Sequence, residues 1–167
     1  MFDQEILSEA QGLIDQCRAA ELWVSTAESC TGGLISGALT SVPGASDVVG
    51  ACFVTYSNEA KQSLLGVLPH TLETHGAVSP ETVGEMALGC LLTGAANLTL
   101  AVTGIAGPGG GSAVKPVGLV YLACASEISG GVVEIERAAF GDVGRDEVRR
   151  RSVLQALQLG RRVLAAV

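Results

Sequence analysis

Charged and aromatic residues are scarce in this 167-residue sequence, at 16% and 4%, whereas hydrophobic residues reach 48%. This apolar composition excludes a disordered chain and predicts a single domain over 1–167 with its own core. Acidic residues outnumber basic ones, which gives a net charge of −7. Because nucleic-acid binding needs a basic surface that contacts phosphates, we expect no nucleic-acid partner.

Metal-binding and disulfide patterns are missing as well. No two cysteines have a C-x-x-C spacing, and with His70 and His75 they form no local metal pattern. We therefore expect reduced, mostly buried thiols and no metal. No segment has the pattern of a signal peptide and no apolar run is long enough to span a bilayer, so we expect a cytoplasmic protein without a membrane partner. The cysteines are Cys17, Cys30, Cys52, Cys90 and Cys124.

Lysine is rare in the sequence. Of ten basic residues, only Lys61 and Lys115 are lysine, and the others are arginine. Arginine stays protonated in proteins, whereas a lysine that is desolvated or close to another cation can lose its proton. Each lysine is therefore a candidate for proton chemistry, and the alternative for each is placement by chance.

Apolar periodicity divides the chain into helices and strands. Helices are predicted over 3–20, 34–40, 58–65, 69–74, 80–95 and 144–166. Strands are predicted over 22–27, 47–56, 98–102, 117–126 and 132–140. This order predicts the α/β fold class, as a three-layer α/β/α sandwich with a mixed, mostly parallel sheet and a C-terminal β-hairpin plus long helix. The unbroken apolar run over 47–56 predicts a strand that is covered on both faces.

The stretch 26–33 (Thr-Ala-Glu-Ser-Cys-Thr-Gly-Gly) joins a predicted strand to a predicted helix. The start of a helix leaves N–H groups unpaired and carries partial positive charge, so it attracts a developing oxyanion. Ser29 is a candidate nucleophile at this turn, and the N–H groups of Cys30–Gly33 are candidate oxyanion donors. Cys30 is a rival nucleophile. The alternative is that Ser29 or Thr31 only caps the helix.

Tyr56 and Lys61 follow the next predicted strand. Ser57 is a suitable N-cap, which places Lys61 about one turn into the helix. A lysine can act as the base for a serine nucleophile when burial or a nearby cation lowers its pKa. Tyr56 could relay or orient the proton. These residues predict a Ser–Lys arrangement at one end of the sheet.

A glycine-rich loop over 103–112 follows the third predicted strand. Its backbone N–H groups suit an anion such as phosphate, although the loop is neither a Walker A motif nor a dinucleotide fingerprint. Arg145 opens the last helix, where a cation opposes the helix dipole, so it is a candidate ligand for an external anion. The alternatives are a flexible surface loop and a solvated charged helix face, which fits Arg150 and Arg151 better than Arg145.

These three segments lie at the carboxyl edge of the sheet if the first strands are parallel, and ligands bind open α/β sheets at that edge. The combination predicts acyl transfer or amide hydrolysis on a phosphate-bearing small molecule. The alternative is a non-catalytic nucleotide- or phosphate-binding module of the same fold.

At these residues the sequence resembles the CinA C-terminal domain family, whose stand-alone members include nicotinamide-nucleotide amidohydrolases. The resemblance covers about 6–164, and the chain looks like the stand-alone form. The matching motifs are AESCTGG at 27–33, TYSNEAK at 55–61, GAVS at 76–79, TGIAGPG at 103–109 and KPVG at 115–118. The segment 112–114 departs from the more acidic sequence that relatives often have before the Lys-Pro pair at 115–116.

The resemblance implies deamidation of nicotinamide mononucleotide to nicotinate mononucleotide and ammonia, in pyridine nucleotide salvage and without a cofactor. It makes Ser29 the nucleophile and Lys61 the base, with Tyr56 assisting. A homodimer is expected because a small chain with 48% hydrophobic residues leaves apolar surface to cover. The candidate substrate-site residues are Glu28, Thr31, Gly32, Gly33, Thr103, Gly104, Gly107 and Arg145.

Overall fold

The computed structural model describes residues 1–131 and 133–166. Its strands form a sheet with the order β2-β1-β3-β4-β5. Strands β2, β1 and β3 are parallel, and β4 is antiparallel to both β3 and β5. The strands are β1 (Val24–Glu28), β2 (Val49–Val54), β3 (Leu98–Gly104), β4 (Leu119–Ser126) and β5 (Val133–Ala139).

Helices cover both faces of this sheet, so the predicted three-layer sandwich is confirmed. The helices are α1 (Gln4–Ala19), α2 (Leu34–Thr40), α3 (Asn58–Leu65), α4 (Pro69–His75), α5 (Pro80–Thr93) and α6 (Arg145–Ala165), and a 3₁₀ turn spans Ala45–Asp47. On one face α1, α2 and α6 pack through residues such as Ile14, Ile35 and Leu157. On the other face α3, α4 and α5 pack through Leu65, Leu72 and Met86.

Strand β2 is an edge strand, which corrects one prediction. The apolar run over 47–56 predicts a strand covered on both faces, but β2 pairs only with β1 among the described strands, and Cys52 and Val54 are exposed. An apolar run specifies burial only through its neighbours in space, and the pairing of strands is a tertiary property. The prediction was therefore right about the strand and wrong about the covering of both its faces.

The last third of the chain agrees with the prediction of a hairpin followed by a long helix. Strands β4 and β5 pair antiparallel, and α6 follows them. The predicted start of β5, residue 132, lies outside the described residues. Because β1, β2 and β3 are parallel, the segments after them (the Ser29 turn, the Tyr56–Lys61 segment and the glycine-rich loop) leave the same edge of the sheet.

Candidate active site

Ser29 and Lys61 are in direct contact at this edge. Ser29 directly follows β1, and Lys61 is the fourth residue of α3, whose N-cap is Ser57 as predicted. The Lys61 Nζ donates to Ser29 Oγ at 3.0 Å and to the Thr55 carbonyl oxygen at 2.8 Å. The Thr55 carbonyl is a member of the site that sequence reasoning missed, because a backbone acceptor leaves no signature in residue types.

Burial controls the chemistry of Lys61. Lys61 is 1% exposed, and Ser29, its hydrogen-bond partner, is 9% exposed. Desolvation lowers the pKa of Lys61 below its ordinary value of 10.5, and the nearby Cys30 thiol works in the opposite direction. Within 1–131 and 133–166, Lys61 forms no ion pair with a carboxylate. A lysine in this environment is suited to lose its proton and act as a base.

The buried carboxylate of Glu28 holds the turn that carries Ser29. Its Oε2 accepts from Thr31 Oγ1 at 2.6 Å and from the N–H groups of Gly33 and Ile35, each at 3.0 Å. Its Oε1 accepts from the N–H of Ser36 at 2.8 Å. Glu28 is completely buried, so the structure gives it a capping role beneath the site rather than an open face toward a ligand.

This arrangement replaces the cap that the sequence suggests. The alternative interpretation made Ser29 or Thr31 the N-cap of α2, but Gly33 occupies the N-cap position with φ 95° and no side-chain cap. A positive φ of this size favours glycine. Capping comes instead from Glu28 on the preceding strand, and the Ser29 hydroxyl is left to face Lys61.

Two backbone N–H groups of the turn have no hydrogen-bond partner among the described residues. The N–H of Gly32 donates to the Ser29 carbonyl at 3.0 Å, and the N–H of Gly33 is held by Glu28. The N–H groups of Cys30 and Thr31 donate to no other residue among those described. The four donors predicted from the sequence thus reduce to two free ones.

The Cys30 thiol has a different environment from the Ser29 hydroxyl. It is 6% exposed, and burial raises its pKa to about 12. The thiolate is the reactive form of cysteine, so a thiol with this pKa is a poor nucleophile near neutral pH. The structure therefore favours Ser29 over Cys30.

Tyr56 and Arg145 are hydrogen-bonded to each other at the surface. Arg145 donates from Nη2 to the Tyr56 hydroxyl at 3.1 Å and from Nη1 to the Gly107 carbonyl at 2.9 Å. Tyr56 is 63% exposed, and its described hydrogen bond is with Arg145, not with Ser29 or Lys61. Arg145 thus links Tyr56 to the glycine-rich loop, and neither Tyr56 nor Arg145 is hydrogen-bonded to Ser29 or Lys61 among the described contacts.

The glycine-rich loop begins in the core and ends in solvent. Thr103 is buried and donates to the Ala77 carbonyl at 2.8 Å. A side chain at Gly104 would come within 2.7 Å of Val120, so this position admits little but glycine. Gly107 has φ 82°, and 109–111 are exposed.

Lys115 and the histidines lie away from the Ser–Lys pair. Lys115 donates from Nζ to the carbonyl of His75, at the end of α4. The His75 ring is 3.5 Å from the Glu81 carboxylate, and the His70 ring contacts the Thr74 hydroxyl. Of the two lysines, only Lys61 has the environment that proton chemistry requires.

Arg149 is a second residue that sequence reasoning missed. Its Nη2 donates to the Thr31 carbonyl at 3.1 Å, over the turn that carries Ser29. The available signal was its position four residues after Arg145, which places both guanidinium groups on the same side of α6. By contrast, Arg151 pairs with Glu147 as a charged helix face predicts.

Comparison with known proteins identifies the fold and the family. Residues 7–164 match the CinA C-terminal domain. The chain belongs to the CinA C-terminal domain family. The crystal structure of competence/damage inducible protein CihA from Agrobacterium tumefaciens has a TM-score of 0.92 and 51% identity over 95% of both chains. A CinA superfamily protein from Klebsiella pneumoniae has a TM-score of 0.91 and 31% identity, over 97% of this chain and 99% of that chain.

Curated CinA relatives differ in length and in name. Nicotinamide-nucleotide amidohydrolase PncC of Enterobacter agglomerans is 48% identical over 141 residues, which are 84% of each protein. A CinA-like protein of Chlorobaculum tepidum is 50% identical over 132 residues, 77% of this chain and 31% of that protein. The chain spans about a third of the length of several curated relatives that it matches.

Among the residues described, no cluster of three or more His, Cys, Asp and Glu side chains is arranged to hold a metal ion. No helix in the same part of the chain combines the length and apolarity that crossing a membrane requires.

Proposed function

We propose that this chain is an amidohydrolase that converts nicotinamide mononucleotide and water to nicotinate mononucleotide and ammonia. The observation that carries the proposal is the 3.0 Å contact between Lys61 Nζ and Ser29 Oγ in a buried setting. The relative named nicotinamide-nucleotide amidohydrolase PncC supports the choice of substrate, since it matches 84% of this chain.

Acylation begins with Ser29 as the nucleophile and Lys61 as the general base. In its ammonium form Lys61 donates to Ser29 Oγ. Once neutral, it accepts the hydroxyl proton along the same contact. Ser29 Oγ then forms a bond to the carboxamide carbon of the nicotinamide ring. The tetrahedral oxyanion is stabilised by the N–H groups of Cys30 and Thr31, which donate to no other described residue.

Release of ammonia completes the first half of the reaction. The protonated Lys61 gives its proton to the amide nitrogen, the C–N bond breaks and ammonia leaves, which produces an ester between nicotinate mononucleotide and Ser29. Lys61 next removes a proton from water, the hydroxide attacks the ester, and the acid leaves with Ser29 Oγ reprotonated by Lys61. One water is consumed and one ammonia is released.

The rest of the nucleotide is proposed to lie against the mouth of the site. Arg145, which forms no ion pair within the described residues, supplies positive charge for the phosphate beside the glycine-rich loop. Tyr56 is bonded to Arg145, so we assign it an assisting role through the orientation of Arg145 and the substrate. The proposed contact residues are Thr31, Gly32, Gly33, Thr103, Gly104, Gly107 and Arg145, with Glu28 supporting the turn from below.

The proposal includes a setting for the enzyme. It works in the cytoplasm on pyridine nucleotides, without a cofactor and without a membrane partner. The net charge of −7 argues against a nucleic-acid partner. We also propose a homodimer, which is supported by exposed leucines such as Leu64, Leu68 and Leu92. Analytical ultracentrifugation tests this assembly, and a monomer at micromolar concentration would remove it.

Ammonia release tests the activity directly. The purified chain is incubated with nicotinamide mononucleotide beside its Ser29→Ala and Ser41→Ala variants. Ser41 is an exposed hydroxyl at the end of α2, so it is a matched control for the loss of a serine. Wild type and Ser41→Ala are expected to release ammonia, and Ser29→Ala is expected to release none above background.

The other outcomes separate the alternatives. Release by Ser29→Ala at the wild-type rate would keep the enzyme and remove Ser29 as the nucleophile. No release by the wild type, with binding of the nucleotide detected by calorimetry, would favour the non-catalytic binding module.

A further inference from the structure

Arg149 lies directly over the turn that carries the proposed nucleophile. Its Nη2 donates to the Thr31 carbonyl at 3.1 Å, and the same atom would lie 3.6 Å from a side chain placed on Gly32. The residue is on the second turn of α6, so a helix from the far end of the sequence reaches the segment between β1 and α2.

The turn is held from two sides by opposite charges. The buried carboxylate of Glu28 accepts four hydrogen bonds from the turn and the start of α2. The guanidinium of Arg149 donates to the Thr31 carbonyl. The N–H groups of Cys30 and Thr31, which are the proposed oxyanion donors, belong to the two peptide groups that directly precede the Thr31 carbonyl.

Arg149 differs from its neighbour Arg150 in how its charge is used. Arg150 pairs with Asp3 and Glu5 of the segment around the start of α1. Within the described residues Arg149 has no carboxylate partner, and its buried Nε has no hydrogen-bond partner. A half-buried guanidinium without a counter-ion carries a desolvation penalty, so its position calls for a reason other than stability.

We propose that Arg149 is a positioning residue that fixes the oxyanion-binding conformation of the Ser29 turn. Its hydrogen bond fixes the Thr31 carbonyl, and through the adjoining backbone it keeps the N–H groups of Cys30 and Thr31 directed at the reacting carbonyl. Such donors are effective only when they are already aligned with the charge that develops in the transition state. This inference rests on the proposed function and adds to it a residue that contacts no substrate.

The test compares Arg149→Met with Arg150→Met. Replacing Arg149 is expected to lower kcat for ammonia release about 10- to 100-fold with little change in KM, because a small misalignment of a catalytic group has effects of this size. Arg150→Met, which removes a neighbouring arginine with surface partners, is expected to keep the wild-type kcat. Free guanidine is expected to restore part of the activity of Arg149→Met only.

A second readout separates this inference from the choice of substrate. A fluorophosphonate probe labels activated serines and places its phosphoryl oxygen in the oxyanion site, so intact mass spectrometry gives the labelling rate of Ser29 without nicotinamide mononucleotide. Arg149→Met is expected to label more slowly than wild type and Arg150→Met. If wild type labels but releases no ammonia, the proposed substrate fails while the role of Arg149 is still tested by the labelling rates.

Three results would overturn the role of Arg149. The first is an equal loss of kcat in Arg149→Met and Arg150→Met. The second is a raised KM at unchanged kcat, which would mean that Arg149 binds the substrate. The third is an equal loss in Arg149→Met and Arg149→Lys, because Arg149→Lys keeps the charge and a donor and is expected to lose less; this variant also serves if Arg149→Met fails to fold.

Discussion

The Ser29 turn and the glycine-rich loop lie at the same edge of the sheet and are built in opposite ways. At the turn, Glu28 and Lys61 are buried; Glu28 accepts four hydrogen bonds and Lys61 donates two. In the loop, 109–111 are exposed, and a side chain at Gly109 would meet nothing within 4 Å. The comparison indicates that the proposed reacting groups are fixed by several hydrogen bonds, whereas the tip of the proposed phosphate-binding loop lies in open space.

Electrostatics follow the same division. The lysine of the turn is desolvated, which lowers its pKa, whereas Arg145 at the loop is accessible to a phosphate. An interaction between charges is stronger in a water-excluded site than at the surface. Changes in the turn should therefore act on kcat, and changes in the loop should act weakly and on KM.

The largest effect is expected from Lys61→Met. Loss of a general base lowers rates about 10²- to 10⁴-fold, so kcat should fall at least a hundredfold. Lys115→Met is the matched control, since that lysine donates to a backbone carbonyl on the surface, and its kcat should stay near the wild-type value. Ammonia release by both variants is the measurement, and equal activities of the two would contradict the role of Lys61.

Lys61→Met should at the same time leave the protein at least as stable as wild type. Because the folded pKa of Lys61 is lowered, the unfolded chain binds more protons between that pKa and 10.5, so wild-type stability falls as the pH drops through this window. Met has no such penalty. The melting temperature of Lys61→Met minus that of wild type should be largest below the folded pKa of Lys61 and should decrease as the pH rises toward 10.5, as measured by scanning calorimetry.

The next effect concerns the carboxylate under the turn. Glu28→Gln replaces an acceptor with a donor that faces backbone N–H groups, which costs about 1–3 kcal/mol for a group left unpaired and should lower kcat as well as the melting temperature. Glu85→Gln is the matched control, because Glu85 also accepts from a backbone N–H (Leu68) and a hydroxyl (Thr71) near the start of α4. It should lower stability alone. A Glu28→Gln enzyme with wild-type kcat would show that the turn does not need its cap.

The pH dependence of kcat/KM should show the base directly. Lys61 must be neutral to accept the proton, so kcat/KM should rise with pH and level off above the pKa of Lys61, at a midpoint below 10.5 because burial lowers that pKa. The residual activity of Lys61→Met should lack this limb. A wild-type midpoint at or above 10.5 would mean that the lysine is not desolvated in the working enzyme.

Sequence reasoning predicted most of the fold, but not the contacts that hold the candidate site together. The Ser57 cap, the end of its helix at residue 65 and the order of strands and helices follow from local patterns, and the structure agrees with them. The edge position of β2 could not be read from the sequence, because an apolar run does not report which strands lie beside it.

The unpredicted parts of the site are the contacts that hold the candidate reacting residues in place. The carboxylate of Glu28 caps α2 from the preceding strand, and Arg149 reaches Thr31 across 118 positions of the chain. Backbone acceptors such as the Thr55 carbonyl carry no residue signature. Composition and spacing identify the candidate reacting residues. They do not identify the side chains and peptide groups that hold those residues in place.

A smaller effect is expected in the loop. Gly109→Ala places a methyl group in open space, and surface changes of this kind usually stay within about 0.5 kcal/mol, so KM and kcat should each change by no more than about twofold. Gly32→Ala is the contrasting variant, because its φ of 61° strains any other residue beside Ser29. Steady-state kinetics compare the two variants. A larger loss of kcat in Gly109→Ala than in Gly32→Ala would contradict the claim that the turn is more sensitive to substitution than the loop.

The covalent intermediate tests the central claim most directly. Wild-type enzyme is mixed with nicotinamide mononucleotide, quenched in acid within a single turnover and digested, and the peptide that contains Ser29 and Cys30 is sequenced by tandem mass spectrometry. We predict a mass increase equal to the nucleotide less ammonia, located on Ser29 and missing in Lys61→Met. The same adduct on Cys30, or ammonia release with Ser29 unmodified throughout the turnover, would contradict a serine nucleophile activated by Lys61.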